Sequence, residues 1–439
     1  MFSDHSDQTN DLMPILDSVC NNPVSRRAFL AGTAAAAVAS REGAVQAVPR
    51  MIEARWIWDS HAGPVNTWMC FRHTLNLAAA PNHAIATIAV DSKYWLWING
   101  RLALFEGGLK RGPRPGETYY DQLDLSPFLT AGKNTIAILV WYWGKSGFSH
   151  VSSGQGGLYF DANIDGIKAI SNRRWKALSH PAYGPSDPPT PNYRLSEWNV
   201  HFDARKDIPD WAHADFNDSV WPSATEKGIA GDRPWGPLKP RPVAFWRNGG
   251  IRPYVNDHRI QALKLGESLR FPVLSILNQS KLPKTFKGSR VWCQLPYDAQ
   301  VTPYLKVDAP AGLVIDIRTD RYFPGDYSVR SQYVTSSGVQ EFESLGWMSG
   351  EHVVYSFPPG VRILQLGYRE SGYNCEFAGH FTSSDPALNT LWKRAQRTLY
   401  VNMRDNYSDC PDRERGLWWG DVVIDLGQTF YYFDPDPAE

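Results

Sequence analysis

The chain has 439 residues, 43% of them hydrophobic and 21% charged, which suits a globular protein with cores of its own and excludes a disordered chain. Lys+Arg and Asp+Glu stand at 45 each, so no net positive field is available to hold a polyanion, and nucleic acid is excluded as a partner. The 18 Trp, 20 Tyr and 19 Phe can fill β-sandwich cores or offer ring faces to a sugar.

The N-terminus reads as a targeting segment, taken as residues 1–47. Ser25-Arg26-Arg27-Ala28-Phe29-Leu30 is a twin-arginine pattern. It runs into the apolar stretch Ala34 to Ala39 and a small-residue cleavage region, Ala44-Val45-Gln46-Ala47. The apolar stretch is too short to span a bilayer. The expectation is a soluble protein exported by the twin-arginine route to the periplasm or the exterior. Cys20 would leave with the signal. Cys70, Cys293, Cys375 and Cys410 are scattered, without CxxC or metal-ligand spacing, and each is expected to be a small buried side chain.

Residues 52–235 read as an N-terminal β-sandwich. Strands are expected at 85–90, 94–98, 102–105, 134–141 and 157–162. Asn99-Gly100 between two β-rich runs is a hairpin signal. Pro/Gly clusters at 186–191 and 232–240 punctuate the chain, and the second marks a boundary. Residues 241–383 read as a second β-sandwich, with strands at 312–318, 352–357 and 361–366.

At 384 the period changes. Ser384 or Asp385 can cap a helix, with Pro386 at its first position. Leu388, Leu391, Trp392, Ala395, Leu399 and Met403 then form one apolar stripe. A second helix starts near Asp421, carrying Val422, Val423, Leu426 and Phe430. A pair of helices cannot close a core alone. The segment 384–439 is therefore expected to leave an apolar stripe exposed, prone to self-association.

Between these helices the chain reads Asp405-Asn-Tyr-Ser-Asp409-Cys-Pro-Asp412-Arg-Glu414-Arg-Gly-Leu-Trp418-Trp-Gly-Asp421. Five carboxylates, two arginines and two tryptophans crowd one loop. Glycoside hydrolysis needs a carboxylic acid on the leaving oxygen and a second carboxylate across the sugar. Further carboxylates and arginines can hold hydroxyls. By composition alone a solvated, salt-bridged loop is the favoured reading, weakened by the two tryptophans and the Gly/Pro content, and the reaction stays undecided.

The motif resembles the Asp-Cys-Pro-x-Arg-Asp-Glu-Arg-x-Gly-Trp-x-Gly-Asp signature of glycoside hydrolase family 78, the bacterial α-L-rhamnosidases. Phe381-Thr-Ser-Ser-Asp385-Pro-Ala-Leu388-Asn389 is similar to the start of that family's catalytic domain. Ala54-Arg-Trp-Ile-Trp58, Tyr94-Trp-Leu-Trp-Ile-Asn99-Gly100, Asp121-Gln-Leu-Asp124-Leu and Gly367-Tyr368-Arg369-Glu370 resemble segments of its sandwiches. The resemblance implies a mainly β, multidomain protein: two β-sandwich (jelly-roll-like) domains followed by the first helices of an (α/α)6 barrel.

It implies an inverting hydrolase of terminal α-L-rhamnosyl bonds, with Glu414 as general acid. Asp409, Arg413, Arg415, Trp418, Trp419 and Asp421 would bind a rhamnose-containing glycan or glycoside. The general base would be a second Glu late in the barrel, beyond residue 439, so the chain is expected to be truncated early in that barrel and inactive as it stands. No cofactor motif appears, and no loop spacing argues for calcium. The family has Arg-Asp-Glu-Arg where this chain has Arg413-Glu414-Arg415, one residue shorter. Glu414 keeps the family's spacing to Asp421 but not to Asp409. Two other readings stay open: a carbohydrate-binding sandwich protein, suggested by the aromatic-rich sandwiches, and a lyase acting beside rhamnose, suggested by the shortened motif.

Overall fold

The computed structural model describes residues 54–109, 112–255, 258–262, 276–277, 289–322 and 326–434. The expected export segment (1–47) and Cys20 lie outside them. The described chain is mainly β and closes with two helices, α1 (Pro386–Val401) and α2 (Trp419–Tyr432). Among the described residues no helix is long and apolar enough to cross a membrane.

Two sheets build the first sandwich. A seven-stranded sheet runs Thr225–Gly228, Trp56–Trp58, Gly157–Ile164, Ala84–Asp91, Thr118–Asp124, Leu238–Pro240, with Ile167–Ile170 paired to Gly157–Ile164. The five-stranded sheet runs Lys176–Ser179, Thr67–Leu77, Gly132–Tyr142, Lys93–Ile98, Arg101–Gly107. Its expected hairpin forms at Asn99 (φ 54°) and Gly100 (φ 78°), the two left-handed residues of a type I′ turn. Gly100 is needed twice over, because a Cβ there would lie 2.7 Å from the His213 ring.

The five-stranded sheet is buried on both faces. Met69, Phe71, Leu96, Ile138 and Val140 point into the first core with Ile88, Leu158 and Phe160. The alternate residues Trp68, Cys70, Trp95, Leu139 and Trp141 join a second core with Val301, Ile315 and Tyr355. A strand covered on both sides has no polar face to show, which explains the unbroken apolar run at 136–143. Each Leu, Ile, Phe or Met so buried contributes roughly 1.5–3 kcal/mol.

The second β region is one ten-stranded sheet curled on itself. Its axis is the 21-residue strand Ser289–Ala309. The first part of that strand pairs with Met348–Phe357; its last part pairs with Arg362–Glu370 and Gly338–Glu343. The register shifts between Gln294 and Ala299, around Pro296, which has no N–H to give a ladder. Val200–Asp203 runs parallel to Ser331–Val334 in this sheet, so a segment from the 52–235 stretch is built into it.

Asp385 caps α1, accepting from the Ala387 N–H at 2.8 Å, with Pro386 in the first turn. The far end of the α1 stripe, Leu399, Tyr400, Val401 and Met403, is buried with Cys375, Tyr432 and Phe433. Its near end is open: Leu391 is 61% exposed, and on α2 Val423 and Phe430 are 67% and 69% exposed.

Candidate active site

The loop between α1 and α2 is closed by its own backbone. The Asp409 N–H donates to the Gly416 carbonyl at 3.0 Å, and the Gly416 N–H returns a bond to Asp409 Oδ1 at 3.1 Å. Cys410, half-buried, donates through Sγ to Asp409 Oδ2 at 3.2 Å and accepts from the Glu414 N–H at 3.3 Å. Burial pushes its thiol up from the usual range. Cys70, Cys293 and Cys375 are free and buried, as expected.

Arg415 departs from its expected role. It was read as a sugar-holding group, yet it is 2% exposed and its guanidinium is committed to protein. Nε donates to the Pro411 carbonyl at 2.7 Å, Nη1 to Glu197 Oε1 at 3.1 Å and Nη2 to the Trp347 carbonyl at 3.3 Å. Its charge also lies 3.4 Å from the centre of the Trp347 ring. Its φ of 51° is a conformation non-glycine residues rarely adopt, and three residues, Pro411, Glu197 and Trp347, hold its side chain. These contacts anchor the loop to the β regions through Arg415.

Glu414 lies at the centre of the polar group. Oε1 is 3.1 Å from Arg413 Nη2 and 3.4 Å from Arg194 Nε, and Oε2 accepts from the Trp418 indole N–H at 3.0 Å. Arg413 also reaches Asp409 at 3.9 Å. Arg194 is held in turn by Asp326 at 2.6 Å. The loop thus brings together Glu414, Arg413, Trp418 and Asp409. Trp419, 78% exposed, and Asp421 stand on the first turn of α2, where an acidic side chain suits the helix N-terminus. Among the described residues no side-chain hydrogen bond or ion pair joins them to Glu414.

Asp412 is one of the five carboxylates of the motif. Burial, together with Asp298 and Asp320, pushes its carboxyl up to about 7, although Arg415 and Arg321 pull the other way. It faces the second β region, on the anchored side of the loop.

Three neighbours of Glu414 were missed altogether: Arg194, Tyr193 and Phe148. They come from two loops of the N-terminal region that are stitched together by the Phe148 N–H donating to the Arg194 carbonyl at 2.8 Å. The approach is close enough that a Cβ on Gly147 would lie 2.5 Å from the Arg194 carbonyl oxygen. Asn192 carries the contact on to the motif, donating from Nδ2 to the Arg413 carbonyl at 2.8 Å. No local pattern marks these residues, since what selects them is proximity across the fold.

One group of donors among the described residues could hold a cation: Asp320, Glu351 and His352, with one ligand atom each within 4.8 Å of the others. His352 Nδ1 already lies 3.1 Å from Asp320 Oδ2. Three donors fall short of the roughly six to eight oxygens calcium takes.

Comparison with known proteins now adds to this geometry. Residues 376–437 match the family model for the bacterial α-L-rhamnosidase six-hairpin glycosidase domain. A GH78 family rhamnosidase from Bacillus sp. GL1 superposes with a TM-score of 0.73 at 18% identity, over 87% of this chain and 61% of that one. An α-L-rhamnosidase from Dictyoglumus thermophilum gives 0.63 at 18% identity, over 87% of this chain and 43% of that one. The Streptomyces avermitilis α-L-rhamnosidase complexed with L-rhamnose gives 0.64 at 18%, over 84% and 35%. The chain therefore spans about three-fifths or less of these structures, which share its fold. Comparison with curated proteins gives no match. The resemblance to bacterial α-L-rhamnosidases is borne out in the β architecture and in the helical segment that carries the motif.

Proposed function

We propose that this α-L-rhamnosidase-like chain binds terminal α-L-rhamnosyl groups at the 409–421 loop and carries the acid side of an inverting glycosidase site. Glu414 is the proton donor to the leaving oxygen. Asp409, Arg413, Asp421 and the indoles of Trp418 and Trp419 hold the sugar. The observation that carries this reading is the three-point grip on Glu414 by Arg413, Arg194 and Trp418, which keeps one carboxyl at one place beside exposed ring faces. The 52–235 and 241–383 regions form the platform on which the helices of 384–439 stand. The twin-arginine pattern supports export to the periplasm or the exterior.

Inversion needs a second carboxylate about 6.5–9.5 Å from the acid to activate water. Binding is therefore the first measurement and cleavage the second. L-Rhamnose titrated into the 439-residue protein should bind, and Asp421→Asn should weaken it about tenfold, the cost of one charge-assisted hydrogen bond. In a protein continued through a complete six-hairpin domain, Glu414→Gln should lower kcat on an aryl α-L-rhamnoside by about 10²–10⁴-fold. Absence of L-rhamnose binding would overturn the reading. Binding without any cleavage in the continued protein would favour a carbohydrate-binding role, and an unsaturated product absorbing in the ultraviolet would favour a lyase.

A further inference from the structure

The middle of α1 carries positive charge that the protein leaves largely unspent. Arg397 stands four residues after Lys393 and three after Arg394, so it shares a helix face with each of them. Like charges at this spacing work against a helix. Lys393 and Arg394 are exposed, and among the described residues neither makes a hydrogen bond or an ion pair. Arg397 is held in place by rings: its guanidinium lies 3.7 Å from the centre of the Tyr297 ring and 4.6 Å from that of Phe377. A guanidinium is a fork of donors with no acceptor of its own. Among the described residues Arg397 places none of these donors in a hydrogen bond. Its Nη1 is buried without one, and the acid paired with it, Glu370, is 3.9 Å away at Oε1. Arg404 and Arg415, which flank and anchor the motif loop, donate instead to Gln300, Glu106, Pro411 and Glu197.

Lys393, Arg394 and Arg397 line a groove of about 780 Å³ between α1 and the second β region. Arg321 also lines it and is already paired with Asp298. Glu351 is the other carboxylate in its wall, so four cations meet two acids. The whole chain is balanced in charge, and this excess is local. None of the lining residues belongs to the 405–421 loop. α1 rises about 1.5 Å per residue, which puts Arg394 roughly 10 Å before the helix end at Val401.

We propose that this groove binds a compact oxyanion, the carboxylate of an acidic sugar or a phosphate group, through the guanidinium forks of Arg394 and Arg397 with Lys393 as a further charge. Two features select this chemistry. A guanidinium fork matches the paired oxygens of a carboxylate or phosphate, and the fork of Arg397 is fixed by ring packing with its donors unmatched. An anion seated here also relieves the like-charge contacts along α1. The volume suits a ligand the size of one sugar. The inference needs nothing from the reading of Glu414.

The test is calorimetry on the full chain at low ionic strength, in a buffer free of phosphate, with inorganic phosphate, D-glucuronate and neutral D-glucose as probes. Phosphate or D-glucuronate should bind, and D-glucose should not. The tighter of the two anions identifies the source of the oxyanion. Arg394→Ala and Arg397→Lys should each weaken that binding about tenfold, the scale of one charge-assisted hydrogen bond. Arg394 is exposed, so its truncation leaves the packing of α1 intact. Arg397→Lys keeps a charge over the rings and removes the fork, so a drop there separates forked bonding from general attraction. D-Glucose bound as tightly as the anions overturns the site, because charge is then not what is recognised. Affinity unchanged in either variant also overturns it, and so does the failure of both anions to bind. L-Rhamnose binding is read separately, so either inference can fail while the other stands.

Discussion

The two halves of the 409–421 motif differ in composition and in burial. From Asp409 to Gly416 the chain is tied down: the ends are bonded to each other, Arg415 is buried against Glu197 and Trp347, and Asp412 faces Asp298 and Asp320. From Leu417 to Asp421 it is a lip, with Trp418, Trp419 and Asp421 exposed. Glu414 is in the tied half and its hydrogen bond to Trp418 reaches the lip. The contrast teaches that charge in a motif serves two purposes, and that burial decides which. A buried guanidinium bound to three residues holds geometry, whereas an exposed carboxylate at a helix start remains available to a ligand.

The largest effect should come from cutting the anchor. Arg415→Ala leaves Glu197 without this partner in a buried site, a loss of about 3–5 kcal/mol, read as a lower midpoint in urea unfolding. If the midpoint barely moves, the tied half is not tied by Arg415 and the comparison fails.

Asp412 should sharpen it through pH. Its carboxyl is raised to about 7 in the fold, well above the ordinary aspartate range, so the folded protein keeps a proton that the unfolded chain has released. Stability should therefore fall as pH rises from about 4 to about 7, by on the order of 3 kcal/mol. Asp412→Asn should remove that slope, so that the variant gains on the native chain toward neutral pH and the gap narrows toward pH 4. Parallel curves for the two proteins would put Asp412 on the exposed side of the contrast.

The smallest effect should be at α1. Asp385→Ala removes one cap bond and should cost about 1 kcal/mol, measured by thermal unfolding. A much larger loss would mean that the helix pair depends on its cap more than on the buried cluster at its far end.

Much of this was legible along the chain. Alternation and turn chemistry marked the hairpin at Asn99-Gly100, and Asp385-Pro386 marked the start of α1. Both follow from local rules, a positive φ at two residues and an orphan N–H seeking an oxygen. The motif marked Glu414, Arg413 and Trp418, which do come together. It also marked Arg415, but the sequence could not show that Trp347 and Glu197 would cover it. Phe148, Tyr193 and Arg194 carried no local sign at all. Asn192 meets Arg413 across 221 positions, and such a meeting depends on how the sheets are stacked.

The sequence by itself determined the element types, the change from β to helix at 384 and a loop at 405–421 crowded with carboxylates. These depend on neighbours within a few residues, where period and capping act. Only the tertiary structure decided that the five-stranded sheet lies between two cores, that Arg415 is an anchor and that the N-terminal region stands beside the acid. Burial and long-range contact are properties of the packed chain, so the same arginine or aromatic reads alike in sequence whether it ends in a core or at a site.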